Sequence, residues 1–258
     1  MKRTRSFLFG KEMKVNMEEK ERLLETLAIK RKNNYKLAEV NEIFKRWAQK
    51  KGIKPEECSN IPYEFDAGNH VSPYSRTMHN YNADIMVILQ DWSSTESLAK
   101  LTPDQKDLIA EKGYSPYLPT NKNLFDLLKR TFNLNPQDIY ATNLFVFIKP
   151  GKLGAEIPQK CFDICAEAYA IPQIEIIQPK IVICSGRVYQ TIKKIIRKKK
   201  ELRNNKQSTL DSVNNPETWN NEKTRIFGIY HTGSNRRLNW TAAEETAHWQ
   251  KIRQTGLQ

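Results

Sequence analysis

No stretch of this chain is apolar for long enough to span a bilayer, which takes about 20 such residues. The start, M-K-R-T-R-S-F-L-F-G, also lacks the apolar core of a secretion signal, so the protein is expected to stay in the cytoplasm, away from membranes. Cysteine is scarce: Cys58, Cys161, Cys165 and Cys184 show no paired metal-ligand spacing. Cys161 and Cys165 would share a helix face, but no second pair or nearby His completes a zinc or cluster site. Reduced, mostly buried thiols are expected, with no metal and no cofactor. Acidic charge is in deficit, with 29 Asp and Glu against 42 Lys and Arg, a formal +13. Such a surplus favours a polyanionic partner, because neutralising phosphates releases counterions; the alternative is a merely soluble basic surface. No internal repeat is visible. Aromatics at 10% argue against a disordered chain, and 258 residues can bury a sizeable core.

What is present is a series of short apolar runs with polar ends. The clearest is 83–92, A-D-I-M-V-I-L-Q-D-W, which stops abruptly at Gln90-Asp91-Trp92. A strand buried on both faces reads this way. Runs at 139–148, 180–186 and 226–237 repeat the pattern, with helical stretches between them. The alternation predicts an α/β fold: three α/β/α layers around a central, mainly parallel sheet of about four strands, spanning 61–258. A basic helical extension covers 1–60, and a polar, basic insertion is expected around 197–223. Within the extension, 16–51 has helical periodicity broken near Asn33-Asn34, and it opens on a capping-box pattern, Asn16 with Glu19. Its polar face is rich in Lys and Arg, either a nucleic-acid contact or a solvated surface. Residues 52–82 read as a long ordered loop whose segment 68–76 is dense in hydrogen-bonding groups; such loops are more often functional than filler. A last helix starts at a second capping box, Thr241 with Glu244, and Gly256 is its expected stop.

In open parallel sheets, ligands bind just outside the carboxyl ends of the strands. Asp91, Asn143 and His231 stand at or near three such ends. A carboxylate, an amide and an imidazole meeting there can orient a water, read a polar ring edge and stabilise a developing anion. Singly, each has a plain structural reading: a helix cap, a loop tie, a satisfied polar side chain. Their joint arrival at one sheet edge of a basic protein points to chemistry.

These residues carry a resemblance to the uracil-DNA glycosylase superfamily, over most of the region from Val71 onward. Gln90-Asp91 matches the Gln-Asp of the water-activating motif, and Pro119-Thr120 with Leu124, Phe125 and Leu128 is similar to the proline-led helix that follows it. Thr142-Asn143-Leu144 with Lys149-Pro150 resembles the corresponding strand and basic-proline segment of the thermostable branch. The run from Cys161 through Ile174, then Pro179-Lys180-Ile181-Val182-Ile183 and Gly186, resembles that branch's helix, strand and glycine. His231-Thr232-Gly233-Ser234 stands where the family has His-Pro-Ser. There are departures. Asp91-Trp92-Ser93-Ser94 replaces the widespread Asp-Pro-Tyr-His, so the Tyr that excludes the thymine methyl is missing. The amino-terminal cysteine pair of the iron–sulfur branch has no counterpart.

The resemblance implies a DNA glycosylase that flips a pyrimidine nucleotide out of the stack and hydrolyses its N-glycosidic bond. Asp91 would favour the sugar cation and align the attacking water, and His231 would donate to the base oxygen that gains charge. Asn143 would read the pyrimidine edge beside Gln90. Trp92, Tyr114 or Tyr117 would stack on the flipped ring. Ser185, Gly186 and Ser234 suit phosphate contact, Lys149 and Lys152 add charge near the backbone, and Asn235, Arg236, Arg237 and Leu238 would form the wedge entering the duplex. The implied partner is DNA, single- or double-stranded, bound by a monomer. The base is either uracil, for repair, or a bulky modified cytosine of phage DNA such as glucosylated hydroxymethylcytosine, for antiphage defence. The rival readings are an inactive DNA-binding module of the same fold and a metal-dependent nuclease using Asp91 and His231; the second is disfavoured because no other carboxylate stands at a neighbouring strand end.

Overall fold

A computed structural model of the protein describes residues 16–66, 68–197, 209, 211–219, 223–233 and 240–257. Its chain opens with α1, Met17–Lys32, and α2, Leu37–Lys51. Asn16 caps α1 by accepting from the Glu19 N–H at 2.8 Å. The Glu19 carboxylate turns to Arg22 instead of reaching back, so only half of the expected capping box forms. The break between the helices holds Asn34 and Lys36 at positive φ, 58° and 72°.

The sheet follows the expected order. β1, Ile85–Asp91, β2, Tyr140–Phe145, and β3, Ile181–Ser185, are buried along most of their length. A three-residue strand absent from the sequence reading, β4, Glu217–Trp219, precedes β5, Thr224–Ile229. The spatial order is β2-β1-β3-β5-β4, parallel except for the β4–β5 pair. The fifth strand thus lies inside the stretch expected as a polar insertion. Glu217 is buried there because Arg197 and Lys193 come to it, at 2.5 and 3.5 Å.

Helices cover both faces. α4, Pro103–Lys112, α5, Pro119–Phe132, and α9, Ala242–Gly256, send Ile109, Leu124, Leu127, Trp249 and Ile252 against Ile85, Val87, Leu89, Ile183 and Ile229. The opposite face, with Met86, Ile88, Val182, Cys184 and Ile226, packs on α6, Gln159–Cys165, α7, Ile171–Ile177, and α8, Gly186–Ile196. α6 and α7 join through a π turn at Ala166–Ala170, a wider turn just ahead of Pro172, which has no N–H to give the ladder. Leu24, Leu27, Ala28, Val40 and Phe44 bring α1 and α2 into this same core. Two cations of the basic stretch are turned inward. Lys20 Nζ donates to the carbonyls of Tyr81 and Ile177 at 2.9 and 3.0 Å, and Arg31 Nη2 meets Asp66 at 2.6 Å.

The three-layer α/β/α arrangement with amino-terminal helices is the one the alternating runs predict. All four cysteines are buried free thiols, and burial raises each above its usual range. Gly256 does close α9, but packing also demands it: a Cβ there would lie 2.5 Å from Ile181 Cδ1. No helix among the described residues is long and apolar enough to cross a membrane.

Candidate active site

Parallel register decides which side chains share a face. Leu89 pairs with Asn143, and Asp91 with Phe145, so Asn143 and Asp91 project to the same side, two residues apart in height. At about 3.3 Å per residue and 4.8 Å between strands, their Cα atoms are about 8 Å apart. Ile88, Cys184 and Gly228 form one row across β1, β3 and β5. Asp91 and His231 each stand three residues beyond that row, two strand spacings apart or about 10 Å. Their parity matches Leu89 and Ile229, so all three side chains reach the α5 side of the sheet. The fold thereby brings together the three residues singled out from sequence.

The Asp91 carboxylate is held on both oxygens. Gln90 Nε2 donates to Oδ1 at 2.9 Å, and Lys149 Nζ lies 2.7 Å from Oδ2. That ion pair is enclosed, with side-chain exposures of 2% for Lys149 and 8% for Asp91. It is built by the backbone: Ser94 and Lys149 form a parallel bridge, Thr95 N–H donates to the Lys149 carbonyl, and Gly151 N–H donates to Thr95 Oγ1. Lys149 was expected against the DNA backbone. The structure corrects this, since an enclosed ammonium committed to Asp91 cannot also lie on a phosphate outside. Lys152, three residues on, is exposed.

Asn143 is 1% exposed. Its Oδ1 accepts from the Ser72 hydroxyl at 2.6 Å, while its Nδ2 is buried with no protein partner. His231 Nδ1 accepts from the Gly233 N–H at 3.0 Å. In the neutral ring the proton therefore sits on Nε2, leaving that nitrogen as donor. Surrounding protein withdraws water and lowers the His231 pKa below its ordinary value; Asp91 opposes this and Lys149 adds to it. Thr232 clamps the segment to α5, donating through Oγ1 to the Thr120 carbonyl at 3.0 Å and accepting at its own carbonyl from Asn123 at 2.8 Å. A Cβ on Gly233 would lie 2.7 Å from His231 Nδ1, which accounts for glycine at that departure from His-Pro-Ser.

The aromatic candidates separate. Trp92 is 8% exposed, its ring 5.4 Å from Phe65 and its Nε1–H bonded to the Gly113 carbonyl at 2.9 Å. That indole is a wall of the core, not an open platform for a base. Tyr114 stacks parallel to Tyr74 at 6.4 Å, and Tyr117 is 58% exposed. Ser185 is 3% exposed and occupies the cap position of α8 without a side-chain cap bond. Gly186 opens that helix, and a Cβ there would meet only the Ile229 carbonyl at 4.0 Å, an ordinary contact. Ser234, Asn235, Arg236, Arg237 and Leu238 lie outside the described residues.

Four neighbours escaped the sequence reading. Ser72 and Tyr74 come from the polar loop 68–76, whose density of donors was the available signal. Buried Tyr74 donates to Asn121 Oδ1 at 2.6 Å; burial raises its phenol pKa, the Asn121 bond opposes that, and nearby Asp91 adds to the rise. Arg187, one residue past Gly186, lies 4.7 Å over the Phe162 ring and donates to the Ile157 carbonyl at 3.0 Å. Burial lowers its pKa, while Glu156 and then Asp91 act in the opposite sense.

Against known proteins, a family model described as Uracil DNA glycosylase superfamily matches residues 102–254. The matched span holds Asn143, Lys149, Ser185 and His231 and begins after Asp91. No curated protein matched the chain.

Proposed function

Because the chain belongs to the uracil DNA glycosylase superfamily, we propose that it is a DNA glycosylase that hydrolyses the N-glycosidic bond of a pyrimidine nucleotide flipped out of DNA. The observation that carries this reading is the convergence of Asp91, Asn143 and His231 on one face of the sheet's carboxyl edge, with spacings that admit one flat ring. The C1′–N1 bond breaks with its electron pair going to the base. Asp91 faces the sugar cation and orients the water whose oxygen bonds to C1′; the water's proton leaves toward the base. His231 donates from Nε2 to the base oxygen that gains charge, and Asn143 reads the ring edge. The products are the free base and an abasic site. DNA contact is assigned to Lys152, the α8 start at Ser185 and Gly186, and 234–237.

The base is uracil or a cytosine carrying a bulky 5-substituent, the latter making this a defence enzyme. Trp92, packed into the core, and the small Ser93 beside it favour the wider pocket that a 5-substituent needs. The test incubates DNAs carrying uracil or modified cytosines with the protein and then cleaves abasic sites with alkali. Product is expected from one of the two classes. His231→Ala should lower the rate by about 10²–10³-fold, the usual cost of one preorganised donor, and Asp91→Asn at least as much, with DNA binding retained. Salt-sensitive DNA binding without abasic product would favour an inactive module. Full product from both variants would refute the assignment.

A further inference from the structure

Resting on the reading that Asn143 meets the base edge, the hydrogen-bond chain behind it says which edge. Ser72 is 1% exposed and caps the short 3-10 turn at Pro73–Arg76, accepting from the Tyr74 N–H at 3.4 Å. That bond occupies an oxygen lone pair and leaves the hydroxyl proton to find an acceptor. The acceptor is Asn143 Oδ1, at 2.6 Å. Turning the amide over would set Nδ2 against an oxygen that already accepts, and would strand the Ser72 proton in a buried place. Buried donors without partners are costly, so the cap imposes one orientation on the amide. The half left over is Nδ2, a buried donor with no protein partner. Its complement is an acceptor: the carbonyl oxygen at C4 of a keto pyrimidine, not the amino group at C4 of a cytosine.

We propose that Ser72 is the specificity-determining residue of this site, a positioning residue that fixes the Asn143 amide so that the enzyme removes 4-keto pyrimidines, uracil and its 5-substituted forms, in preference to their 4-amino counterparts. Ser72 touches no reacting atom and acts through Asn143. The preference is independent of the size of the group at C5.

The test uses oligonucleotides, as single strands and as duplexes, that carry one of three matched pairs: uracil and cytosine, 5-hydroxymethyluracil and 5-hydroxymethylcytosine, and the glucosylated forms of the last two. Within each pair only the C4 group differs. Single-turnover excision rates are measured for the wild type, Ser72→Ala and Ser72→Thr, with melting curves recorded to show that each variant folds. The wild type should favour the keto member by at least about tenfold wherever a pair is cleaved, the order expected when a buried donor is met or left unmet. Ser72→Ala should narrow that ratio about tenfold, and Ser72→Thr, which keeps the hydroxyl, should restore it. A wild type that favours the amino member overturns the proposal. So does a Ser72→Ala variant that loses rate equally on both members, because that is the mark of a structural role. Absence of product from every substrate would instead remove the glycosylase reading itself, and the inference with it.

Discussion

Removing the Lys149 ammonium tests the arrangement at its most loaded point. Nζ and Oδ2 are 2.7 Å apart, and neither side chain exceeds 8% exposure, so water does little to screen either charge. At an effective dielectric of about 20, two unit charges 4 Å apart attract by about 4 kcal/mol. Losing one partner leaves the other enclosed and unmatched, at a cost of about 3–5 kcal/mol. Against a typical stability of about 5–15 kcal/mol for a whole protein, Lys149→Met should shift the urea midpoint sharply downward. Asp91→Asn should do likewise, because it strands the ammonium. The double variant leaves no unmatched charge, so its loss should fall well short of the sum. A double-mutant cycle from urea denaturation at neutral pH should give a coupling of about 2 kcal/mol or more, against about 0–1 for an exposed pair. Additive losses, with coupling under about 0.5 kcal/mol, would show that the two groups do not depend on each other, and the reasoning that places a matched charge beside the substrate would fail.

Gly233→Ala should displace the His231 ring, because the new Cβ falls 2.7 Å from Nδ1 and 3.2 Å from Thr120 Oγ1; excision should drop at least about tenfold while the melting temperature moves only modestly, the cost of overpacking being about 1–3 kcal/mol. Unchanged excision kinetics would mean that the Gly233 N–H does not hold the imidazole. Acid should also destabilise the protein, since burial lowers the pKa of His70 to about 4 and lowers those of His231 and His248. Below the ordinary value near 6.5 the unfolded chain takes up protons that the native imidazoles resist, so stability is full above that pH and falls as pH drops toward the native values. His70 alone supplies at most about 3 kcal/mol of this loss; urea midpoints at pH 7.5, 6 and 5 should decline, His70→Gln should flatten the decline, and a flat wild-type profile would contradict it.

Residues whose role is set by local pattern were legible in the sequence; those defined by a distant partner were not. β1 and β3 announce themselves because strands buried on both faces are apolar along nearly their whole length, and Asp91, Asn143 and His231 stand out because each ends such a run. Lys149 reads as one more surface cation in a chain with 42 of them, and only parallel pairing of β1 with β2 brings it to Asp91. Lys20 and Arg31 mislead in the same way, their partners lying 61 and 35 residues away. β4 has three residues and one buried side chain, Glu217, whose carboxylate would be unaffordable there without Arg197. Trp92 follows the key carboxylate in sequence, but its indole is claimed by Phe65 and Gly113, from loops on either side of it.

The long loop before β1 joins these two levels. β2 is an edge strand, and an uncovered edge offers its backbone to any passing chain. Here the loop lies along that edge. Ala141 N–H donates to the Met78 carbonyl, Asn80 N–H to that of Ile139, Ser59 and Ile148 exchange both backbone bonds, and the Ser75 hydroxyl donates to the Ala141 carbonyl at 2.7 Å. Ser72 sits three residues from Ser75, and this cover carries its hydroxyl to Asn143, 71 positions away in sequence. The covering of the edge and the aiming of the amide are therefore one set of bonds. Swinging Ser72 away from Asn143 would uncover part of β2, so the base-reading edge is held before any substrate arrives, the condition under which fixed dipoles contribute most to a reaction.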